Sequence, residues 1–192
     1  TTDQLRHDFL SAYGMPVETS PNVDRLAAEG LRFDNAFTVC PICVPARYSL
    51  TTGQYPANHG AHTNMHAPVP TVPSLLETFD AAGYHTACIG KLHHNPPDAT
   101  FGFAEVHLHD GTFRDRRKHS IYSRWLIEQG LDEDELAYAA DMADDPDKMR
   151  LKDRLHWGRC PFDDEHHETT FLTRYAEEWI AARDPSAGPT FL

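Results

Sequence analysis

Cys43, Val44, Pro45, Ala46 and Arg47 put a thiol, a proline and a guanidinium within five residues. Pro45 suits the first turn of a helix that runs on through Tyr48, Ser49 and Leu50, where its missing N–H would have no intrahelical acceptor anyway. Residue 43 then stands at a helix N-terminus, where unsatisfied N–H groups and the helix dipole favour an anion. Arg47, one turn on, can reach back toward the same spot with charge-assisted hydrogen bonds. A nucleophile, an anion cradle and a fixed cation so combined suit the transfer of a sulfuryl or phosphoryl group, for which positioning and charge stabilisation are most of the catalysis. The same stretch supports other readings. Cys40-Pro41-Ile42-Cys43 has the C-x-x-C spacing of redox pairs and of half a zinc site, and Cys43 can also be a buried apolar residue. A zinc ribbon needs a second pair, whereas Cys88 and Cys160 stand alone.

A second group of chemically capable residues follows Gly83. Tyr84-His85-Thr86-Ala87-Cys88-Ile89 reads as a buried strand that ends at Gly90, so Lys91 and His93 lie just past its carboxyl end. In open α/β sheets that edge is where ligands bind. A lysine and a histidine there can contact an anionic ester, and histidine can also donate a proton. Asp3, read as the end of a strand, offers a hard oxygen ligand for a divalent cation, and Gln4 offers an amide oxygen with less charge. His59, His62 and His66 occupy a loop rich in glycine and proline and are expected on the surface, with the rim of a pocket as the alternative. His94, beside His93, reads either way. His166 and His167, beside Asp163, Asp164 and Glu165, read as a solvated acidic turn ahead of a helix, with a metal cluster as the alternative.

The elements that must position these groups alternate along the chain. Ser20-Pro21, then Val23, Leu26 and Ala27 at helical spacing with Gly30 after them, predict a short capped helix. Leu31–Phe37 alternates apolar and polar residues and reads as a strand or extended segment. A second helix is expected from about Pro73 to Ala82, with Gly83 as its stop. Helix followed by strand, repeated, predicts an α/β sandwich with a largely parallel sheet flanked by helices. Residues 96–160 are rich in Asp, Arg and His and read as an insertion or lid beside the sheet, with an acidic helix over Leu131–Met142 closed by Asp144-Asp145-Pro146-Asp147. An amphipathic helix capped by Thr169 or Thr170 carries Phe171, Leu172, Tyr175, Trp179 and Ile180, and Thr190-Phe191-Leu192 begins another strand. The organisation expected is thus a core over 1–95, an insertion or lid over 96–160, and a helix and strand start over 161–192.

Bulk properties narrow the field of partners. The 192 residues carry 17 basic and 29 acidic side chains, a net charge of -12 that argues against nucleic acid. Every apolar stretch is broken within a few residues, well short of a membrane span. Four cysteines are too sparse for a disulfide scaffold in a chain of this length.

Cys43-x-Pro45-x-Arg47 resembles the maturation motif of type I sulfatases. Gly83-Tyr84 leading to Gly90-Lys91-x-His93 resembles that family's second signature, Ser20–Gly30 its first helix, and Asp3-Gln4-Leu5-Arg6 its N-terminal metal-binding turn, where many members carry two aspartates. Val44 is bulkier than the residue usual between cysteine and proline, and Ala46 replaces a frequent serine; the Cys-x-Pro-x-Arg core remains. The resemblance implies the N-terminal part of an alkaline-phosphatase-like α/β sandwich and a sulfuric ester hydrolase. It implies that a maturation enzyme oxidises Cys43 to formylglycine, whose hydrate attacks sulfur in line and later expels sulfate. Asp3, Gln4 and residue 43 would hold a divalent cation, Ca²⁺ first, with Mg²⁺ or Mn²⁺ as alternatives. Arg47 would stabilise the hydrate, while Lys91 and His93 would bind the ester and assist the leaving group. The substrate would be a small-molecule or carbohydrate sulfate ester. Alternatives are a phosphonate monoester or phosphodiester hydrolase of the same superfamily, and a non-catalytic fragment with a C-x-x-C redox or zinc site. The family completes its metal site with residues farther downstream than 192, so the resemblance implies a portion of a longer enzyme.

Overall fold

The computed structural model describes residues 1–3, 5–97, 99–110, 119–131 and 163–192. They form two compact units, Thr1–Thr38 and Val39–Leu192.

In the first unit, two short 3-10 turns, His7–Phe9 and Ser11–Tyr13, precede helix α1, Pro21–Glu29. Pro21 fixes a helical φ at the first position, and Asp24 places negative charge in the first turn. The Ser20 hydroxyl does not cap the helix backbone. It bonds Asp24 Oδ1 at 3.1 Å, and the same oxygen accepts the Ala12 N–H at 2.8 Å, which ties α1 to the preceding turn. The alternating segment 31–37 forms no strand: a turn at Asp34-Asn35 interrupts it, and Leu31, Phe33 and Phe37 are exposed. Alternation prepares a residue run for a sheet, but a ladder needs a partner strand, and none pairs with it among the described residues.

In the second unit, helices α2 (Cys43–Thr52), α3 (Pro56–His59) and α4 (Leu75–Ala81) precede strand β1 (His85–Gly90). Ser74 and Glu77 form a reciprocal capping box at the start of α4. At its end Gly83, with φ +82°, lets its own N–H reach Asp80 and the Tyr84 N–H reach Phe79, which turns the chain directly into β1. β2 (Glu105–Leu108) and β3 (Thr190–Phe191) flank β1 in parallel, in register Ala87 to Glu105 and His85 to Thr190. β1 is therefore the central strand among those described, and a parallel sheet with helices before and after it in the chain makes this an α/β fold.

Strand β2 falls inside the region read from sequence as an insertion. Glu105 and His107 disguise it as polar, yet both are satisfied within the fold. The Glu105 carboxylate accepts from Trp179 Nε1 at 2.9 Å, His85 Nε2 at 3.0 Å and His107 Nε2 at 2.5 Å. Tyr175 bonds His107 Nδ1 at 2.9 Å. Trp179 and Tyr175 belong to α6 (Glu168–Ala182), so polar contacts join this helix to the sheet. Its N-terminus is capped by His167 Nδ1, which accepts the Thr169 N–H, rather than by Thr169 or Thr170; both threonines already lie in the first turn. Helix α5 (Ile121–Glu128), capped by Ser120, packs with α6 around Ile121, Tyr122, Leu126 and Phe171, with Ile89 of β1 against them. Val44, Tyr48 and Ala61 make a second core under Phe101. Beyond Leu131, the expected acidic helix lies outside the described residues. No described helix is long and apolar enough to cross a membrane.

Candidate active site

Cys43 is the first residue of α2, preceded by the extended Ile42, and Pro45 occupies the first turn, as the sequence predicts. Ile42 has no side-chain oxygen to cap the helix. Asn64, from the loop after α3, does this instead: its Oδ1 accepts the Val44 N–H at 2.9 Å. Val44, Pro45, Tyr48 and Thr51 are buried, while Cys43 is half-buried and its thiol is free. The buried face anchors the helix, and the chemically useful end stays reachable.

The face of α2 that carries Cys43 and Arg47 meets the segment after β1. Arg47 Nη1 donates to the Lys91 carbonyl at 3.0 Å, and the Tyr48 hydroxyl donates to the Asn95 carbonyl at 2.5 Å. The Tyr48 ring also stands edge-on to His94 and to Phe101. Lys91 and His93, both half-buried, therefore sit at the carboxyl edge of the sheet on a segment tied to the helix that begins at Cys43. His93 adopts φ +50°, and its N–H donates to Asp110 Oδ2 at 2.5 Å. Asp3 lies in an exposed bend of the first unit, and Gln4 is outside the described residues.

Of the neighbouring histidines, His59 departs from the expected surface position. His59 is buried: its Nδ1 accepts the Ala61 N–H at 3.1 Å, so Nε2 carries the proton and donates to Ser49 Oγ at 2.9 Å. Burial holds its pKa below the ordinary value. This ring braces α2 against α3, a role hidden in sequence because His59 stands in a loop-like Pro/Gly context. His62 and His66 are exposed, as expected. His94 is buried, stacked on Phe101 and donating from Nδ1 to the Ala99 carbonyl at 2.8 Å; burial brings its pKa down to about 4. Burial likewise pushes the Cys88 thiol up to about 11, so it is not a thiolate near neutral pH. Asp163 to Glu165 form an exposed turn in which Asp163 Oδ1 accepts from the His166 ring at 2.7 Å. Among the described residues, no three His, Cys, Asp or Glu side chains group so as to hold a metal ion.

Asn64 and Asp110 contribute to the site without having stood out in the sequence. Each acts across the fold on a backbone N–H, and no local pattern marks such a contact.

The Sulfatase family profile matches residues 1–192. The chain belongs to the sulfatase family. It is 31% identical over 196 residues to an arylsulfatase of Clostridium perfringens, covering 99% of this chain and 40% of that protein. It is 34% identical over 146 residues to the N-acetylgalactosamine-6-sulfatase of Homo sapiens, covering 64% of this chain and 28% of that one. This sulfatase-family chain thus spans well under half the length of these relatives. In structure it is similar to the phosphonate monoester hydrolase of Agrobacterium radiobacter, with a TM-score of 0.70 and 23% identity over 100% of this chain and 38% of that one. The fold is accordingly alkaline-phosphatase-like, as the sulfatase resemblance implied.

Proposed function

We propose that this sulfatase-family chain carries the nucleophile-bearing part of a sulfuric ester hydrolase, and that residue 43 works as formylglycine after enzymatic oxidation of its side chain. The observation that carries the reading is the bond from Arg47 to the Lys91 carbonyl, which ties the helix beginning at Cys43 to the segment bearing Lys91 and His93. At the α2 N-terminus, the residue-43 side chain and an incoming ester oxygen meet the positive end of the helix dipole. Arg47 holds the residue-43 oxygens, Lys91 binds the sulfate oxygens, and His93 gives a proton to the departing alcohol.

Asp3, Gln4 and the oxygens of matured residue 43 would hold a divalent cation. A carboxylate, an amide and a hydroxyl are all hard oxygen donors, which suits Ca²⁺, Mg²⁺ or Mn²⁺ better than a soft-ligand zinc site. Such a cation, when bound, would offset the ester's negative charge and favour an ionised nucleophile. The substrate class is a small-molecule or carbohydrate sulfate ester, and a formylglycine-generating maturation enzyme is the partner that acts on Cys43.

Phosphonate monoester or phosphodiester hydrolysis is the second reading, favoured by the name of the Agrobacterium structural neighbour. Identity of 23% carries the fold alone, so the sulfatase relatives weigh more. Two measurements on the full-length protein test the proposal. Mass spectrometry of the peptide containing residue 43, from a host with the maturation system, is expected to find the aldehyde or its hydrate; full activity with an unmodified thiol would sink the mechanism. Relative kcat/KM on 4-nitrophenyl sulfate and on an aryl phosphonate monoester is expected to favour the sulfate, and the reverse order would favour the second reading.

A further inference from the structure

The backbone of residues 91–93 is gripped at both ends by side chains of opposite charge. Arg47 Nη1 donates to the Lys91 carbonyl at 3.0 Å, and Asp110 Oδ2 accepts the His93 N–H at 2.5 Å. Leu92 between them is buried. The grip answers a physical need: with φ +50°, His93 holds a left-handed conformation that is strained for a residue bearing a Cβ. Gly90 at φ +106° starts the bend, but His93 has no such freedom and must be held from outside.

Asp110 is placed for this by the sheet. The His109 N–H donates to the Gly90 carbonyl at 2.9 Å, extending the β1–β2 pairing beyond its last register pair and bringing residue 110 alongside residue 93. The His109 ring is fixed in turn: Nε2 donates to Glu168 at 3.0 Å, and Nδ1 accepts from Ser120 Oγ at 2.9 Å, at the N-termini of α6 and α5. Asp110 is only 2% exposed. A buried carboxylate is costly unless hydrogen-bonded and balanced by positive charge.

We propose that Asp110 is a positioning residue for ester cleavage: through the His93 N–H it fixes the direction of the His93 side chain, and with Arg47 it sets the span that carries Lys91. This rests on the reading of Lys91 and His93 as the ester-binding groups. It differs from a general packing role because it acts through one other residue.

The test uses the full-length matured protein, 4-nitrophenyl sulfate, and the variants D110A, D110N, H93A, D110A/H93A and C43A. D110A is expected to lower kcat by roughly 100-fold with little change in KM, the size of loss that an ångström-scale misplacement of a reacting group produces. D110N, which keeps an acceptor oxygen, is expected to recover most of it. In the H93A background D110A should add almost nothing, because the two act as one unit. Wild-type turnover in D110A, or a D110A loss of equal size with and without His93, would overturn the proposal. Hydrogen exchange at the His93 amide is read in parallel and does not depend on activity. Exchange faster in D110A by about tenfold or more, the scale expected for losing a hydrogen bond to a charged group, upholds the grip. Unchanged exchange overturns it. Absence of any Cys43-dependent turnover in the wild type would overturn the functional reading instead, leaving the amide measurement to decide the grip.

Discussion

Arg47 Nη1 lies 3.0 Å from the carbonyl oxygen of Lys91, so the cation one turn beyond Cys43 also fastens the strand end that bears Lys91 and His93. The planar fork of a guanidinium can hold a carbonyl with one nitrogen while another serves a second acceptor; the point charge of a lysine cannot reproduce that geometry. R47A is therefore expected to lower kcat/KM on an aryl sulfate by about 10²–10³-fold, as removal of one oxyanion donor does. It should also destabilise the fold by roughly 1.5–3 kcal/mol through the lost charged hydrogen bond. R47K should recover stability better than activity. Steady-state kinetics beside urea unfolding read the two effects separately, and equal recovery of both would contradict the double role.

Asn64 Oδ1 supplies the cap that Ile42 cannot, and this separates stability from turnover in a predictable way. N64A is expected to cost about 1 kcal/mol, the usual loss for a helix cap. N64D keeps the acceptor and adds negative charge beside the positive end of α2, worth about 0.3–1 kcal/mol of added stability. On the proposed reading of the α2 N-terminus as the anion cradle, the same charge opposes the anionic ester, so KM for 4-nitrophenyl sulfate should rise. A more stable protein with a weaker grip on the ester is the outcome expected, and thermal unfolding with KM measurement checks it. A lowered KM in N64D would contradict the assignment of this helix end as the anion cradle.

What the sequence disclosed follows from the range of the forces involved. The start of α2, the body of α4, strand β1 and the opening of β3 were legible because Pro45, the spacing of Leu75, Leu76 and Phe79, the Gly83 stop and an apolar run act within a few residues. Strand β2 was hidden because Glu105 and His107 take partners from β1 and α6, up to 74 positions away in the case of Trp179. Cys43, Arg47, Lys91 and His93 could be picked out by type and spacing. Asn64, Asp110 and the buried His59 could not, since each earns its place by a contact that only the folded chain creates. Segment 31–37, read as a strand or extended segment, is not a strand: its alternation was genuine, but no described strand pairs with it.

Two groups set separate windows of acid sensitivity. Burial lowers the His94 pKa from the ordinary 6.5 to about 4, so the fold favours the neutral ring. Its contribution is complete above pH 6.5 and is lost as the pH falls toward 4, because the unfolded chain takes up the proton first. At about 1.4 kcal/mol per unit, the loss reaches up to about 3 kcal/mol. Glu105 is held near 2, first by the Trp179 N–H and then by His85 and His107. Its contribution is present above the ordinary carboxylate value of 4.5 and fades as the pH falls toward 2. Urea unfolding between pH 3 and 8, about the range these shifts span, is expected to show stability falling first below 6.5 and again below 4.5. H94N should shrink the upper step, to which His59, also lowered by burial, adds in the same direction, and E105Q should shrink the lower one. An upper step undiminished in H94N would mean that His94 does not govern it.

Cys40 offers the sharpest contrast between the ester-hydrolase reading and a C-x-x-C module. Cys43 is the first residue of α2, whereas Cys40 precedes the helix. In a redox pair or a zinc half-site the two sulfurs act jointly, and replacing either destroys the function. In an ester hydrolase only residue 43 is chemically engaged. C40S is therefore expected to turn over 4-nitrophenyl sulfate close to the wild-type rate, with bound metal unchanged by elemental analysis, while C43A loses turnover altogether. Tightly held zinc that disappears in C40S would establish the module instead, since a calcium or magnesium site built from hard oxygens has no use for the Cys40 sulfur.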